Sequence, residues 1–454
     1  MQEGITNRLG TERIGRLLLK LSVPAITAQL VNVLYNIVDR AYIGNIPETG
    51  AQAIAGLGIT MPIIVLIMAF SFLVGMGGAP LASMRLGAKD DEGAQRILNN
   101  CFAMVLGVAV VLTVLCEALA VPLLRAFGAS AATLPFALEY LRIYAAGTVF
   151  VMITLGMNSF INCQGFSAVG MWTVIIGAAL NIALDPLFIF VLGMGVRGAA
   201  LATILSQGVS CLWVLLFLTG KKTRIRLKPA MMKPERAIVG RVLGLGVSPF
   251  VMQSTESLVQ IVINTGLARY SGDLAVASMT IITSIVMVLN MPLQGLGQGA
   301  QPILSYNYGA KNIDRVKKTF RLLITLTLSF STLMCLLVEL FPGVFIRIFS
   351  SDAELIELTC RVIRIFIAGF FAMGAQFAVQ QMFLSVGQAK SSVFIAMLRK
   401  IVLLIPLALI LPRLFGMGAL GIYIAEPIAD FTCASISCIL FAVKSKKIFA
   451  EQRG

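Results

Sequence analysis

The stretch Pro80-LASMRLGAK-Asp90 returns later in the chain as Pro302-ILSYNYGAK-Asn312, 222 residues further along. A single short match arises by chance, whereas several matches in the same order at one shift indicate an internal repeat. The chain is therefore predicted to contain two copies of a unit of about 220 residues. The other matched pairs keep this shift to within one residue: Ala53-IAGLGITMPIIV and Ala275-VASMTIITSIVM, Arg125-AFG and Arg347-IFS, Gly193-MG and Gly416-MG.

Apolar runs of about 20 residues dominate the chain, which is the length that a helix needs to cross a membrane. Hydrophobic residues make up 58% of the 454 and charged residues 13%, against about 25% charged in soluble domains. We predict an all-α integral membrane protein with twelve transmembrane helices in two six-helix bundles, both entering the membrane in the same direction. The runs cover residues 14–38, 54–78, 97–121, 137–160, 168–192, 197–219, 240–267, 274–299, 319–342, 358–385, 391–412 and 417–443.

A polar, basic stretch divides the two copies. We expect an N-terminal bundle over residues 1–220, a linker over 221–237 and a C-terminal bundle over 238–454. Two prolines and eight positive charges, counted out to Arg241, suit an exposed cytoplasmic connector. A regulatory or lipid-binding role for this segment stays open.

The net charge of +15 is explained by topology. Segments on the side of the N-terminus carry 25 Lys and Arg, and those on the opposite side carry 9. By the positive-inside rule both termini face the cytoplasm. No soluble basic domain remains to bind nucleic acid, so the partners expected are membrane lipid and small molecules.

Residue types exclude several kinds of chemistry. The chain has no histidine, and its eight cysteines stand singly without metal-ligand spacing, so neither a metal site nor a cofactor is expected. Proton transfer must therefore fall to carboxylates. No Walker A motif and no nucleophile–base constellation is present, which argues against an ATPase and against an enzyme.

Two aspartates inside the apolar spans are the first candidate functional residues. An ionisable group at membrane depth is costly and usually faces the protein interior. Asp39 ends the first span, and Asp185 lies deep in the fifth. Asn181 precedes Asp185 by one helical turn, so both share a face. Pro186 frees backbone carbonyls beside the carboxylate, an environment suited to a cation.

A polar stripe marks the seventh span. Glu256 is its one acid, and Gln253, Gln260 and Asn264 recur at helical spacing around it. This stripe predicts a cavity wall rather than a lipid-facing surface.

Other residues inside the spans have mainly structural interpretations. Pro24 in the first span predicts a hinge on the helix that carries Asp39, with a static kink as the alternative. Arg399 and Lys400 are expected to pair with Glu426 or Asp430 of the twelfth span. Gly295-LGQG-Ala300 is expected to allow tight helix packing.

These motifs resemble one family of membrane transporters. Val38-DRAYI-Gly44, Leu180-NIALD-Pro186 and the paired LGAK and YGAK loops are similar to the multidrug and toxic compound extrusion (MATE) family, over about Leu17 to Phe441. Ser248-PFVMQ looks most like its MepA-type bacterial branch.

The resemblance implies a V of two bundles around a central cavity, in a bacterial plasma membrane. It implies export of cationic, often aromatic compounds in exchange for H⁺ or Na⁺. An acid of the tenth span matters in sodium-coupled members, and this tenth span has none, which favours protons. By resemblance the cation site comprises Asp39, Asn181, Asp185 and Thr203, and Tyr35, Tyr140 and Asn158 line the cavity.

The function predicted is secondary active efflux of cationic amphiphiles by alternating access, for which a monomer suffices. Methionines of the central spans, Met287 among them, suit an adaptable cationic ligand. A lipid-linked oligosaccharide flippase of the same superfamily is the alternative, although such proteins carry an Arg-rich cavity. A channel or a receptor-like protein is a weaker one.

Overall fold

The computed structural model describes residues 8–450. Within that range nine helices are long and apolar enough to cross a membrane, and two bent helix pairs raise the number to eleven. One of the nine, α8, contains two spans, which gives the twelve predicted. The helices are α1 (Ile14–Gly44), α2 (Gly50–Gly87), α3 (Asp91–Ala126), α4 (Leu134–Ala146), α5 (Thr148–Cys163), α6 (Ser167–Pro186), α7 (Val196–Thr219), α8 (Arg236–Gly309), α9 (Ile313–Leu340), α10 (Pro342–Ile346), α11 (Ala353–Ile367), α12 (Phe370–Ser385), α13 (Ala389–Met397), α14 (Ile405–Ile410) and α15 (Ala419–Ala450).

Helix α8 doubles back at Gly272. A straight helix of its 74 residues extends about 110 Å, far more than the roughly 30 Å of a membrane core. Gly272 has φ 73° and ψ −165°, a conformation that glycine adopts without strain. The seventh and eighth spans therefore meet at this residue.

Two spans are broken at matched positions of the repeat. The helices α4 and α5 meet at 57° around Gly147, and α11 and α12 meet at 44° around Gly369. The fifth and eleventh spans contain wider turns of π-helix, at Leu187–Val191 and Leu398–Leu404. Such turns often occur at functional positions.

The repeated loop motif stops one helix and starts the next. Lys89 (φ 60°) and Lys311 (φ 57°) end their helices in the left-handed region. The side chain of Asp90 accepts a hydrogen bond from the N–H of Gly93 at 2.8 Å, and Asn312 caps α9 in the same way. Both copies thus use an acidic or amide cap at the helix N-terminus.

The two halves of the chain pack on each other near these loops, through α2 and α8. We call this face, which also carries residues 220–235, the linker side. A Cβ on Gly87 would lie 1.9 Å from the carbonyl oxygen of Tyr306, and one on Gly309 would lie 1.8 Å from that of Met84. Only glycine permits so close an approach of the two backbones.

Further contacts join the halves along α1 and α8. Gly295 and Gly299 let α8 approach the backbone of Ile26 and Ser22, which confirms the expected tight packing. Before α1, the carbonyl of Leu9 accepts hydrogen bonds from Asn307 Nδ2 at 2.8 Å and from Arg315.

The linker is docked on the N-terminal half rather than loosely exposed. Gln164 Oε1 accepts hydrogen bonds from Thr223 Oγ1 at 2.8 Å and from the N–H groups of Arg224 and Ile225. Thr223 and Ile225 are fully buried. The expectation of an exposed connector is therefore wrong for this part of the segment, because three of its donor groups form hydrogen bonds with the side-chain amide of Gln164.

Candidate ion and substrate sites

An acid pair lies inside the N-terminal half, where α1 packs along α6. Asp185 is fully buried and Asp39 is 8% exposed, and the two carboxyl groups are near enough to interact electrostatically. Two buried carboxylates this close repel each other when both are ionised, so a proton on one of them stabilises the pair. The geometry therefore suits a pair that shares one proton.

Polar side chains from three helices, α4, α6 and α7, surround this pair. Asn181 Nδ2 lies 3.3 Å from Asp185 Oδ1 and 3.4 Å from Thr203 Oγ1. Tyr140 of α4 is buried close to Thr203 and Asp39. The structure thus brings together the four residues predicted for the cation site.

Oxygen atoms of this cluster remain without a donor. Asp39 Oδ1, Asp185 Oδ2 and Asn181 Oδ1 are buried and have no hydrogen-bond partner among the described residues. Buried oxygens of this kind are costly unless a proton or a cation satisfies them. The cluster therefore has the chemistry of a cation or proton site.

The local fold explains these positions. Helix α1 continues through Pro24 to Gly44, so Asp39 is buried five residues before its end. Helix α6 ends at Pro186, and the wider π-helical turns begin directly after it. Proline cannot donate to the helix, which weakens the regular ladder beside Asp185.

Three further residues were predicted to line this cavity, and the structure gives them different surroundings. Tyr35 precedes Asp39 by one turn, and Tyr140 is buried and stacks on Tyr144 with ring centroids 6.1 Å apart. Asn158 Nδ2 donates instead to the carbonyl of Gly170 at 3.3 Å. It therefore bridges α5 and α6.

A second cluster lies in the C-terminal half and contains both signs of charge. Arg399 Nη2 is 2.8 Å from Glu426 Oε1, and Arg399 Nε is 2.7 Å from Asp430 Oδ1. Lys400 forms its ion pair with Glu256 and donates to the carbonyl of Met252 at 2.7 Å. The expectation that Lys400 pairs with the twelfth span is wrong: adjacent residues of a helix point in different directions, and Arg399 faces the twelfth span while Lys400 faces the seventh.

This second cluster borders a cavity of about 110 Å³. Gln260 and Asn264 of the polar stripe line it together with Glu256, whereas Gln253 and Met287 are not among its lining residues. Met287 is 56% exposed on α8. The complete lining is Glu256, Val259, Gln260, Ile263, Asn264, Met279, Thr283, Val286, Asn290, Phe366, Arg399, Lys400, Leu404 and Glu426.

The two clusters differ in how their charge is balanced. The ion pairs formed among residues 8–450 include neither Asp39 nor Asp185, although Arg40 is adjacent in sequence. The acids of the second cluster are paired with two cations of the chain itself. The same part of the chain holds no group of three or more His, Cys, Asp or Glu able to bind a metal.

A family model named MatE matches residues 24–187 and again residues 249–410, once in each half. The chain belongs to the MatE family. This assignment agrees with the repeat and with the acid-bearing first and fifth spans.

Two relatives match nearly the whole length of the chain. It is 26% identical to the multidrug export protein MepA of Staphylococcus haemolyticus over 95% of this chain and 94% of that protein. It is 27% identical to the protein of the same name from Staphylococcus saprophyticus, over 93% and 92% of the two chains.

Solved MatE structures share the fold. One, described as the outward-facing conformation of a multidrug resistance MATE family transporter, superposes with a TM-score of 0.89 at 23% identity over 98% of both chains. A MATE structure in a bent conformation superposes with a TM-score of 0.92 at 22% identity over 99% of both chains.

Proposed function

We propose that this protein is a secondary active multidrug exporter that exchanges amphiphilic organic cations for protons. The observation that carries the proposal is the buried pair of Asp39 and Asp185, for which residues 8–450 provide no basic partner within ion-pair distance. The relatives named as multidrug export proteins support the substrate class.

Charge balance gives the mechanism of exchange. Two ionised carboxylates in contact repel one another, and burial adds to the cost of both charges. A proton or an organic cation neutralises the same pair, so binding of one lowers the affinity for the other. This competition couples the movement of the two in opposite directions.

Alternating access requires the two halves to move relative to one another. In this structure they are in contact on the linker side, at Gly87 and Gly309. We place that side in the cytoplasm of a bacterium, since the positively charged loops lie there. The structure then corresponds to the state closed toward the cytoplasm.

The alternative of a flippase is not retained. Arg399 and Lys400 border the C-terminal cavity. Each is engaged by acids of the chain, so neither offers this cavity a free positive charge for an anionic headgroup. The names of the matched relatives point to drug export instead.

The test is ethidium efflux from proteoliposomes under an imposed pH gradient and, separately, under an imposed Na⁺ gradient. We expect efflux with the pH gradient alone and its loss in Asp185→Asn, because an amide at position 185 neither binds nor releases a proton and cannot neutralise an organic cation. Asp273→Asn, the same change at an exposed position of α8, serves as the matched control. Full efflux by Asp185→Asn would refute the proposal, and a strict need for Na⁺ would refute its proton arm.

A further inference from the structure

The ion pair of Lys400 and Glu256 has an unusual setting for a structural pair. The Glu256 side chain is 55% exposed and that of Lys400 is 9% exposed, and both line the cavity of the C-terminal half. The carboxylate is thus reachable from the cavity while the ammonium fills the space beside it. A pair that served only stability would gain little from this partial exposure.

We propose that Lys400 is a specificity-determining residue: it is a tethered cation that occupies the position on Glu256 where the cationic group of a ligand would bind. A ligand cation must displace the lysine to reach Glu256. The inference takes one thing from the proposed function, namely that the ligand is a cation.

The neighbouring arginine shows why the lysine is the movable group. Arg399 is held by two carboxylates at 2.7 and 2.8 Å, and all three side chains are no more than 14% exposed. Lys400 has one carboxylate and one backbone carbonyl. A lysine ammonium on its flexible stem rearranges more easily than a doubly paired guanidinium.

The cavity also limits the kind of ligand. Its volume of about 110 Å³ is well below the roughly 300–1,000 Å³ of pockets that enclose a drug-sized molecule. Amides of Gln260, Asn264 and Asn290 and the apolar Val259 and Phe366 share the lining with the charges. The ligand class is therefore a small monovalent organic cation, or the cationic head of a larger one.

The experiment measures binding of benzyltrimethylammonium to the purified full chain in lipid nanodiscs by calorimetry. Lys400→Met should bind it about tenfold more tightly than the unmodified chain, because removing the competing cation leaves Glu256 free. Glu256→Gln should weaken binding, and the double variant should return to the starting affinity. Lys444→Met, in which the lost ammonium donates to Ser391 Oγ at 2.8 Å, controls for the loss of a lysine.

A second measurement tests the proposal even if Lys400→Met does not fold. In Glu256→Gln the ammonium of Lys400 loses its carboxylate, so the cavity should gain affinity for phenylmethanesulfonate, an anion of similar size. Unchanged binding of the cation in Lys400→Met would overturn the proposal, and so would an absence of anion binding in Glu256→Gln. Failure of the proposed function is distinguishable, because it removes Asp185-dependent ethidium efflux and leaves these binding results in place.

Discussion

Replacing Gly87 and Gly309 by alanine should open the linker side of the molecule. The new methyl groups would lie 1.9 and 1.8 Å from carbonyl oxygens of the other half. Carbon and oxygen atoms in contact stay about 3.3 Å apart, so the helices must separate by about 1.4 to 1.5 Å in the closed state. The open state, in which these backbones are apart, does not suffer this clash.

The size of the effect follows from the cost of overpacking, which is typically about 1–3 kcal/mol. A shift of about 2 kcal/mol changes the ratio of closed to open molecules by about thirtyfold. The double variant should show less than twice the effect of either single one, because one separation of the halves relieves both clashes.

Distances between spin labels measure this shift directly. Labels at Lys222 and Lys318, both exposed on the linker side, in a chain freed of its eight native cysteines, should report a longer population in the Gly87→Ala and Gly309→Ala variants. Gly240→Ala is the matched control, since nothing lies within 4 Å of a Cβ at that position of α8. An unchanged distance distribution in the double variant, or an equal change in Gly240→Ala, would refute the reasoning.

Two further variants test the buried polar networks. Arg399→Met leaves Glu426 and Asp430 without their counter-ion and should lower the unfolding free energy by about 3–5 kcal/mol. A fall in the melting temperature would show this loss, and an unchanged melting temperature would contradict it. Gln164→Ala removes the acceptor shared by Thr223, Arg224 and Ile225 and should cost about 1–3 kcal/mol. Amide hydrogen exchange checks this: exchange in the linker should be faster in the variant than in the parent, while exchange in α6 stays the same. Equal protection of the linker in variant and parent would speak against a docked linker.

Most of what the sequence predicts about the fold follows from the repeat and its apolar runs. All twelve apolar runs correspond to spans, because apolar length is a direct requirement of crossing a membrane. The bends at Gly147 and Gly369 were not predicted, although both glycines lie inside apolar runs at the repeat shift of 222 residues. Comparing glycines across the two copies would have found them.

The N-terminal site was easier to predict than the C-terminal one for a physical reason. Asn181 and Asp185 lie one turn apart on one helix, so sequence spacing alone places them together. Lys400 and Glu256 are 144 residues apart, and nothing in the spacing along the chain shows which helix packs against the face of the eleventh span that carries the lysine. Sequence spacing could therefore not choose between Glu256 and the acids of the twelfth span.

Duplication of one unit has produced halves with different electrostatics. In the N-terminal half two buried acids have oxygens that no described residue satisfies, a setting that a proton or a cation from outside would neutralise. In the C-terminal half Arg399 and Lys400 supply cations from the chain itself. We therefore propose that coupling to an external ion belongs to the first half. On the same proposal the second half discriminates between ligands by exchanging one internal cation, the ammonium of Lys400, for one ligand cation.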